Sequence, residues 1–437
     1  VDLADADALL LGEVADDSAG RSLASGDFDG DGVSDLLVGV TDASAGGSGS
    51  GKACLLYGPV LGTVSLSTAD AQFVGEDADD GAGSSLASGD TDGDGVQDAL
   101  VGAGDASAGG DRSGAVYLVL GPATGTSSLG DADALLVGQA EDLAGAVASG
   151  DVNADGLDDI VVGADGSSVG GAYSGTAYLV LGPVSGTRVL SGADAQFIGE
   201  NADEFAGQSV AAGDVDGDGR ADVLIGASGL TVSGVRSGGA YLVHGPVLGT
   251  LDLSEADARL VGQEPDDRAG DALAVGDLDG DGREDLVVAA PRASVDGSRT
   301  GIVYVLDGSV SGTVDLSKAD ARLEGVEADS WAGMSVAVGD VNDDGNDDVL
   351  VGVPFEDGTH YERGVARLVY GPVSGALDLS LSDACLRGED YGDIAGVAVA
   401  LGNTDGEGGQ DILVGAPYSD AGGEDSGSAY LVLSDGP

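Results

Sequence analysis

Short β-branched runs recur along the chain, each closed by glycine, alanine or proline: DLLVGV, DALVGA, DIVVGA, DVLIGA, DLVVAA, DVLVGV and DILVGA. Runs of this kind read as strands. Three other apolar stretches accompany each of them. One is rich in Ser, Ala and Gly, as in GSSLASGD ending at Asp90. One is rich in tyrosine and closes on Gly-Pro, as in VYLVLGP and AYLVLGP. The last is ADAQFVGE at 69–76 or ADARLVGQ at 256–263. Four strands in about 60 residues make one propeller blade. The pattern therefore predicts an all-β chain forming a seven-bladed β-propeller with four-stranded antiparallel blades. A linear solenoid would need unlike capping repeats, and the chain has no visible cap.

The strand of small residues suits the crowded axis and is placed innermost. ADALLLGE, at 6–13, reads as a fourth strand with no third strand before it, while the chain ends on a third strand, AYLVLSDGP. The first segment is thus expected to complete the last blade and remove an edge that would template aggregation. Residues 1–437 are read as one domain. Residues 1–13 supply the outer strand of blade seven. Blades one to six follow at about 14–76, 77–139, 140–200, 201–263, 264–326 and 327–389, and 390–437 supply the rest of blade seven.

Between the first and second strand of every repeat lies an acidic nonapeptide: DFDGDGVSD, DTDGDGVQD, DVNADGLDD, DVDGDGRAD, DLDGDGRED, DVNDDGNDD and NTDGEGGQD. The step is 63 residues, except 61 between the second and third copies. Calcium takes six to eight oxygen ligands. Side chains at positions 1, 3, 5 and 9, with the carbonyl of position 7, can surround one ion. Gly32, at position 6 of the first loop, allows the sharp turn.

The predicted ligands are Asp27, Asp29, Asp31, Val33 and Asp35 in the first loop, and Asp90, Asp92, Asp94, Val96 and Asp98 in the second. They are Asp151, Asn153, Asp155, Leu157 and Asp159 in the third, and Asp214, Asp216, Asp218, Arg220 and Asp222 in the fourth. The fifth offers Asp277, Asp279, Asp281, Arg283 and Asp285; the sixth offers Asp340, Asn342, Asp344, Asn346 and Asp348. The seventh offers Asn403, Asp405, Glu407, Gly409 and Asp411. Up to seven Ca²⁺ are expected. The loop is not an EF-hand, which needs a bidentate Glu at position 12 and flanking helices; Val38 stands at that place here.

The unit AGQSVAAGDVDGDGRADVLIGAS, at 206–228, resembles the FG-GAP repeat of integrin α-subunit propellers and their bacterial relatives. VGAP at 414–417 completes the likeness. The departure is at the aromatic end, where every copy has Ala-Gly: Ala19, Ala82, Ala144, Ala206, Ala269, Ala332 and Ala395. The resemblance implies structural calcium, an adhesion or ligand-binding role and, by analogy, an integrin-like partner.

Sixteen basic residues face 78 acidic ones, for a formal charge of −62. Nucleic acid is excluded as a partner, since phosphates need Lys and Arg. Anionic membranes are disfavoured for the same reason, and no segment reaches 18 apolar residues. The start at Val1 reads as a mature or excised piece of a larger surface or secreted protein. Seven modest calcium sites require an extracellular, cell-surface or periplasmic setting. Cys54 and Cys385 fall in blades separated by blade seven and are expected to be free thiols.

Two histidines exist, His244 and His360. His244 reads as a surface strand residue. No nucleophile–base pattern appears, so no catalytic residue is assigned. Trp331 stands just before Ala332-Gly333 and reads either as rim packing between blades or as a platform for a sugar or peptide. Loops on a rigid scaffold carry function. The sixth-repeat loop at 354–364 concentrates Phe355, His360, Tyr361 and Arg363 as candidates for contact with an unknown protein or glycan. The reading is thus a calcium-binding extracellular binding module. Its rivals are the accessory or lyase-type propeller of a polysaccharide-acting enzyme and a purely structural spacer.

Overall fold

All the predicted strands form in the computed structural model, which describes residues 1–294, 298–356 and 362–434. They make seven sheets around one axis. Blade four shows the plan: Ala206–Gly213, Asp222–Ala227, Gly239–Val243 and Ala258–Val261 pair antiparallel in that order. The small-residue strands are innermost and touch one another round the ring. Their hydroxyls bond sideways rather than outward; Ser88 Oγ donates to Ser25 O of the preceding blade at 2.8 Å.

A fifth strand, absent from the sequence reading, joins six of the blades. After the third strand of blades one to six the chain crosses back and lies parallel to the fourth strand of the preceding blade. Gly312–Asp315 pairs in this way with Ala258–Val261, and Gly125–Ser128 with Ala71–Val74. Blade six has four strands, and Val1 and Asp2 take the fifth place there. The Val1 ammonium donates to Cys385 O at 2.8 Å, Arg387 N donates to Val1 O at 3.0 Å, and Asp2 bridges Arg387 in parallel. Ring closure follows the prediction and extends it. Ala8–Leu11 pairs antiparallel with Ser428–Val432, Leu10 opposite Ala429, and parallel with Gly62–Ser65.

Blades are also sealed end to end by backbone bonds. On the face opposite the acidic loops, the alanine of each Ala-Gly pair donates to the preceding blade. Ala206 N reaches Ser174 O at 3.1 Å, Ala395 N reaches Arg363 O at 2.8 Å, and Ala19 N reaches Ser426 O at 3.0 Å to close the circuit. The methyl of each alanine is fully buried. A Cβ placed on Gly199, at the end of the fourth strand, would lie only 3.3 Å from that of Ala206. The adjoining Gly207 has φ +88°, and a Cβ there would fall 2.6 Å from Thr176 O. The seam thus has no room for an aromatic side chain in place of this alanine. Ala206→Phe is expected to cost about 1–3 kcal/mol by overpacking. An unchanged denaturant midpoint would refute this account of the seam.

The apolar cores lie between blades, not within them. One cluster joins Val161, Leu179 and Phe197 of blade three to Val223, Ile225 and Tyr241 of blade four. The third-strand tyrosines Tyr117, Tyr178, Tyr241, Tyr304 and Tyr430 are all essentially buried. Two blades depart at that position. Blade one has Cys54, and blade six has Arg367, whose guanidinium pairs with the buried Glu356 and donates to Leu379 O at 2.6 Å. Cys54 and Cys385 are both free thiols.

Candidate metal sites

Each acidic loop connects a first strand to a second, so the strand ends fix both its limits. Inside, the position-1 carboxylate collects the loop's own N–H groups. Asp27 Oδ1 accepts from Gly30 N and Asp31 N at 2.7 and 3.0 Å, and Oδ2 accepts from Gly32 N at 2.9 Å. These bonds require left-handed backbone at position 6, where Gly32 has φ +87°. Position 4 is left-handed as well, even where it is Ala154 or Asp343.

Three carboxylates converge within 4.8 Å in four of the loops. The sets are Asp27, Asp29 and Asp35; Asp90, Asp92 and Asp98; Asp214, Asp216 and Asp218; and Asp277, Asp279 and Asp281. The remaining loops carry an amide in the cage: Asn153, Asn342 or Asn403. The seventh loop differs most. The Asn403 amide donates to Gly408 O at 3.4 Å, where other loops accept an N–H, and Gly408 has relaxed to φ 64°.

Position 9 has a second task that sequence reasoning missed. Asp35 is buried, with Oδ2 accepting from Phe28 N at 2.8 Å and Oδ1 from Gly58 N at 2.7 Å. The same pair of bonds recurs at Asp98, Asp159, Asp222, Asp348 and Asp411. This residue ties the loop to the end of the third strand.

Position 8 closes a second circuit. Its N–H donates to the position-1 carbonyl of the preceding loop: Gln97 to Asp27, Asp158 to Asp90, Ala221 to Asp151, Glu284 to Asp214, Asp347 to Asp277, Gln410 to Asp340 and Ser34 to Asn403, at 2.7–3.2 Å. The seven loops are therefore one hydrogen-bonded ring.

His244 is not a surface strand residue, as the sequence suggested. It lies just past the third strand, which ends at Val243, and its Nδ1 lies 3.2 Å from Asp222 Oδ2 and 3.8 Å from Asp216 Oδ2. The signal was its position just before Gly245, whose N–H bonds to Asp222.

On the opposite face, Trp331 carries the Arg292 guanidinium over its ring at 5.0 Å and meets the edge of Phe355 at 5.0 Å. Arg363 stacks on Tyr391 at 4.4 Å. Phe355 and Arg363 stand on this face with Trp331, whereas His360 and Tyr361 lie outside the described residues.

Burial lifts several carboxylates well above their usual range. Asp35, Asp159 and Asp348 rise to about 6 and Asp285 to about 7, through burial first and then through the neighbouring loop aspartates. Asp267 and Asp393, in turns of the opposite face, rise to about 6 mainly through burial. A carboxyl raised in the folded state holds its proton longer there than in the unfolded chain. Its contribution is complete below pH about 4 and is lost as pH climbs through 6–7. Metal-free protein is expected to melt at a higher temperature at pH 5 than at pH 7.5. Scanning calorimetry in chelator checks this, and a rise in melting temperature across that interval would contradict it.

A ring of sheets whose first-to-second connections are all acidic oxygen cages defines the class: a repeat propeller built on acidic loops. The chain belongs to the FG-GAP repeat family, whose profile matches residues 19–53, 82–119, 144–180, 206–243, 269–306 and 332–368. It is 32% identical over 195 residues to phosphatidylinositol-glycan-specific phospholipase D of Homo sapiens, covering 42% of this chain and 23% of that protein. It is 35% identical over 172 residues to integrin alpha-5 of Xenopus laevis, covering 38% of this chain and 15% of that protein. Integrin alpha-PS2 of Drosophila melanogaster is 29% identical over 242 residues, or 50% of this chain and 16% of its own length. The chain thus spans less than a quarter of these relatives. Among the described residues no helix is long and apolar enough to cross a membrane.

Proposed function

We propose that this chain is a calcium-stabilised binding module that works outside the cell. The supporting observation is the ring of seven loops, four of which bring three carboxylates together; in the fourth, Arg220 pairs with Asp218 at 2.7 Å from the rim. Side chains at positions 1, 3, 5 and 9 would hold the ion together with the position-7 carbonyl. All are oxygen donors, which suit a hard cation. Bound calcium would neutralise each cage and join the first two strands. Extracellular modules bind calcium at about 10⁻⁴–10⁻³ M, a range that favours a setting outside the cytosol. Integrin α relatives favour adhesion or ligand binding as the role. The phospholipase D relatives favour a second reading, in which the propeller accompanies a catalytic domain of a larger protein.

Metal analysis by mass spectrometry tests the first reading. After equilibration in millimolar calcium, about seven ions per chain are expected, and Asp214→Asn with Asp216→Asn is expected to remove one. One ion or none per chain would overturn it. Screening of protein and glycan arrays with and without calcium separates a binding module from a spacer.

A further inference from the structure

Acidic residues outnumber basic ones so heavily that an arginine without a carboxylate partner calls for explanation. Two such arginines meet in one hollow. Arg236, Arg268 and Arg292 line a cavity of about 330 Å³ together with Gln208 and Ser228, on the face opposite the acidic loops, between blades four and five. Among the described residues, Arg268 pairs with Asp271 at 3.3 Å, while neither Arg236 nor Arg292 has an ion pair. Their guanidiniums are aimed by rings instead: Arg236 lies over Phe205 at 5.4 Å and Arg292 over Trp331 at 5.0 Å. Stacking of this kind holds a guanidinium plane while leaving its N–H edge free to donate.

The backbone places these residues firmly. Arg236 O accepts from Asp266 N at 2.8 Å, and Arg292 N donates to Asp267 O at 3.2 Å, so the loops of both blades are tied to the same turn. Arg292 also lines a neighbouring hollow of about 640 Å³ with Arg322. Asp165 and Asp266 lie on the walls too, and the charge of Arg292 also reaches Asp271, so the attraction is local to the N–H edges of Arg236 and Arg292.

We propose that this cavity binds the anionic groups of an acidic carbohydrate, with Arg236 and Arg292 as paired donors to carboxylate or sulfate. The proposal rests on the binding-module reading and names its ligand class. A planar fork matches either oxyanion with two parallel bonds. Gln208, whose amide donates to Asp271 Oδ1 at 3.0 Å, and Ser228, whose hydroxyl donates to Gln208 Oε1, make a fixed polar wall that suits a ligand rich in hydroxyl groups. The apolar hollow beside Phe355, Ile394 and Tyr418 offers no such set.

The test uses the whole chain, calcium-loaded, at physiological ionic strength. Titration calorimetry is run with a uronate oligosaccharide, a sulfated uronate oligosaccharide, a neutral glucan oligosaccharide and a poly-glutamate peptide. One or both acidic oligosaccharides are expected to bind, the neutral one and the peptide not. Arg236→Gln and Arg292→Gln are each expected to weaken binding about tenfold or more. Arg188→Gln, exposed on the strand Gly186–Val189, is expected to leave it unchanged. Should Arg292→Gln lower the melting temperature by unstacking Trp331, the exposed Arg236→Gln decides alone. Equal binding of the neutral sugar or the peptide, or equal loss in all three variants, would overturn the proposal. Normal calcium stoichiometry without acidic-sugar binding refutes the pocket alone, whereas absent calcium refutes the underlying reading.

Discussion

Removing calcium is expected to lower the melting temperature of this protein more than any single substitution would. At roughly 100-fold excess over Kd, one site contributes about 2.7 kcal/mol. Several such contributions equal the whole stability of an ordinary domain, about 5–15 kcal/mol. Without the ion, the cages hold like charges together, Asp27 beside Asp29 and Asp35 among them. The loops are also bonded to one another round the ring, so a loosened loop deprives its neighbour of a carbonyl or an N–H. Calorimetry with chelator and then with restored Ca²⁺ measures the effect. Mg²⁺ is expected to restore less, since it demands near-octahedral geometry. The seventh loop is expected to empty first as calcium is lowered. Asn403 there donates into the cage, and Glu407 is a methylene longer than the aspartates it replaces. Earlier emptying of the first or second loop would contradict that order, and an unchanged melting curve would contradict the calcium reading as a whole.

Deleting residues 1–13 is expected to abolish the closed monomer. The deletion strips Ala8–Leu11 from Ser428–Val432, leaving a long apolar edge that invites pairing with other chains. It also removes Leu3 and Leu10, both buried, at about 1.5–3 kcal/mol each. Lys52, buried in blade one, loses its partner Glu13. Blade six loses the bonds that Val1 makes to Cys385 and Arg387. Light scattering and thermal melting of the truncated chain check the outcome. Cysteines at Leu10 and Ala429, which face each other across the pair, are expected to crosslink within one chain once Cys54 and Cys385 are replaced. A truncated protein that stays monomeric with its melting temperature unchanged would refute the closure argument.

Much of the architecture was legible because each signal was local and repeated. A run such as DVLIGA declares a strand wherever it sits, and seven acidic loops in step declare seven units. The outer-strand pattern at 6–13 revealed the closure, because its partner could only be the last strand of the chain. The candidate ligands were legible for the same reason, as side chains a few residues apart on one turn.

What the sequence concealed depends on residues that only the ring brings together. GTLD and GTVD look like linkers, since they are mostly exposed and their parallel partners belong to the preceding blade. Asp35 reads as a ligand, but its bond to Gly58 needs the third strand in place. The alanine at the seam is explained only by the closeness of Gly199 to Ala206. Arg236 and Arg292 are far apart in sequence and meet because adjacent blades turn the same loop toward one seam. Local periodicity thus determined the strands, their number and the acidic cages. Packing between blades decided the fifth strand, the two circuits of backbone bonds and the arginine pocket, because each depends on distances across a seam that no stretch of sequence contains.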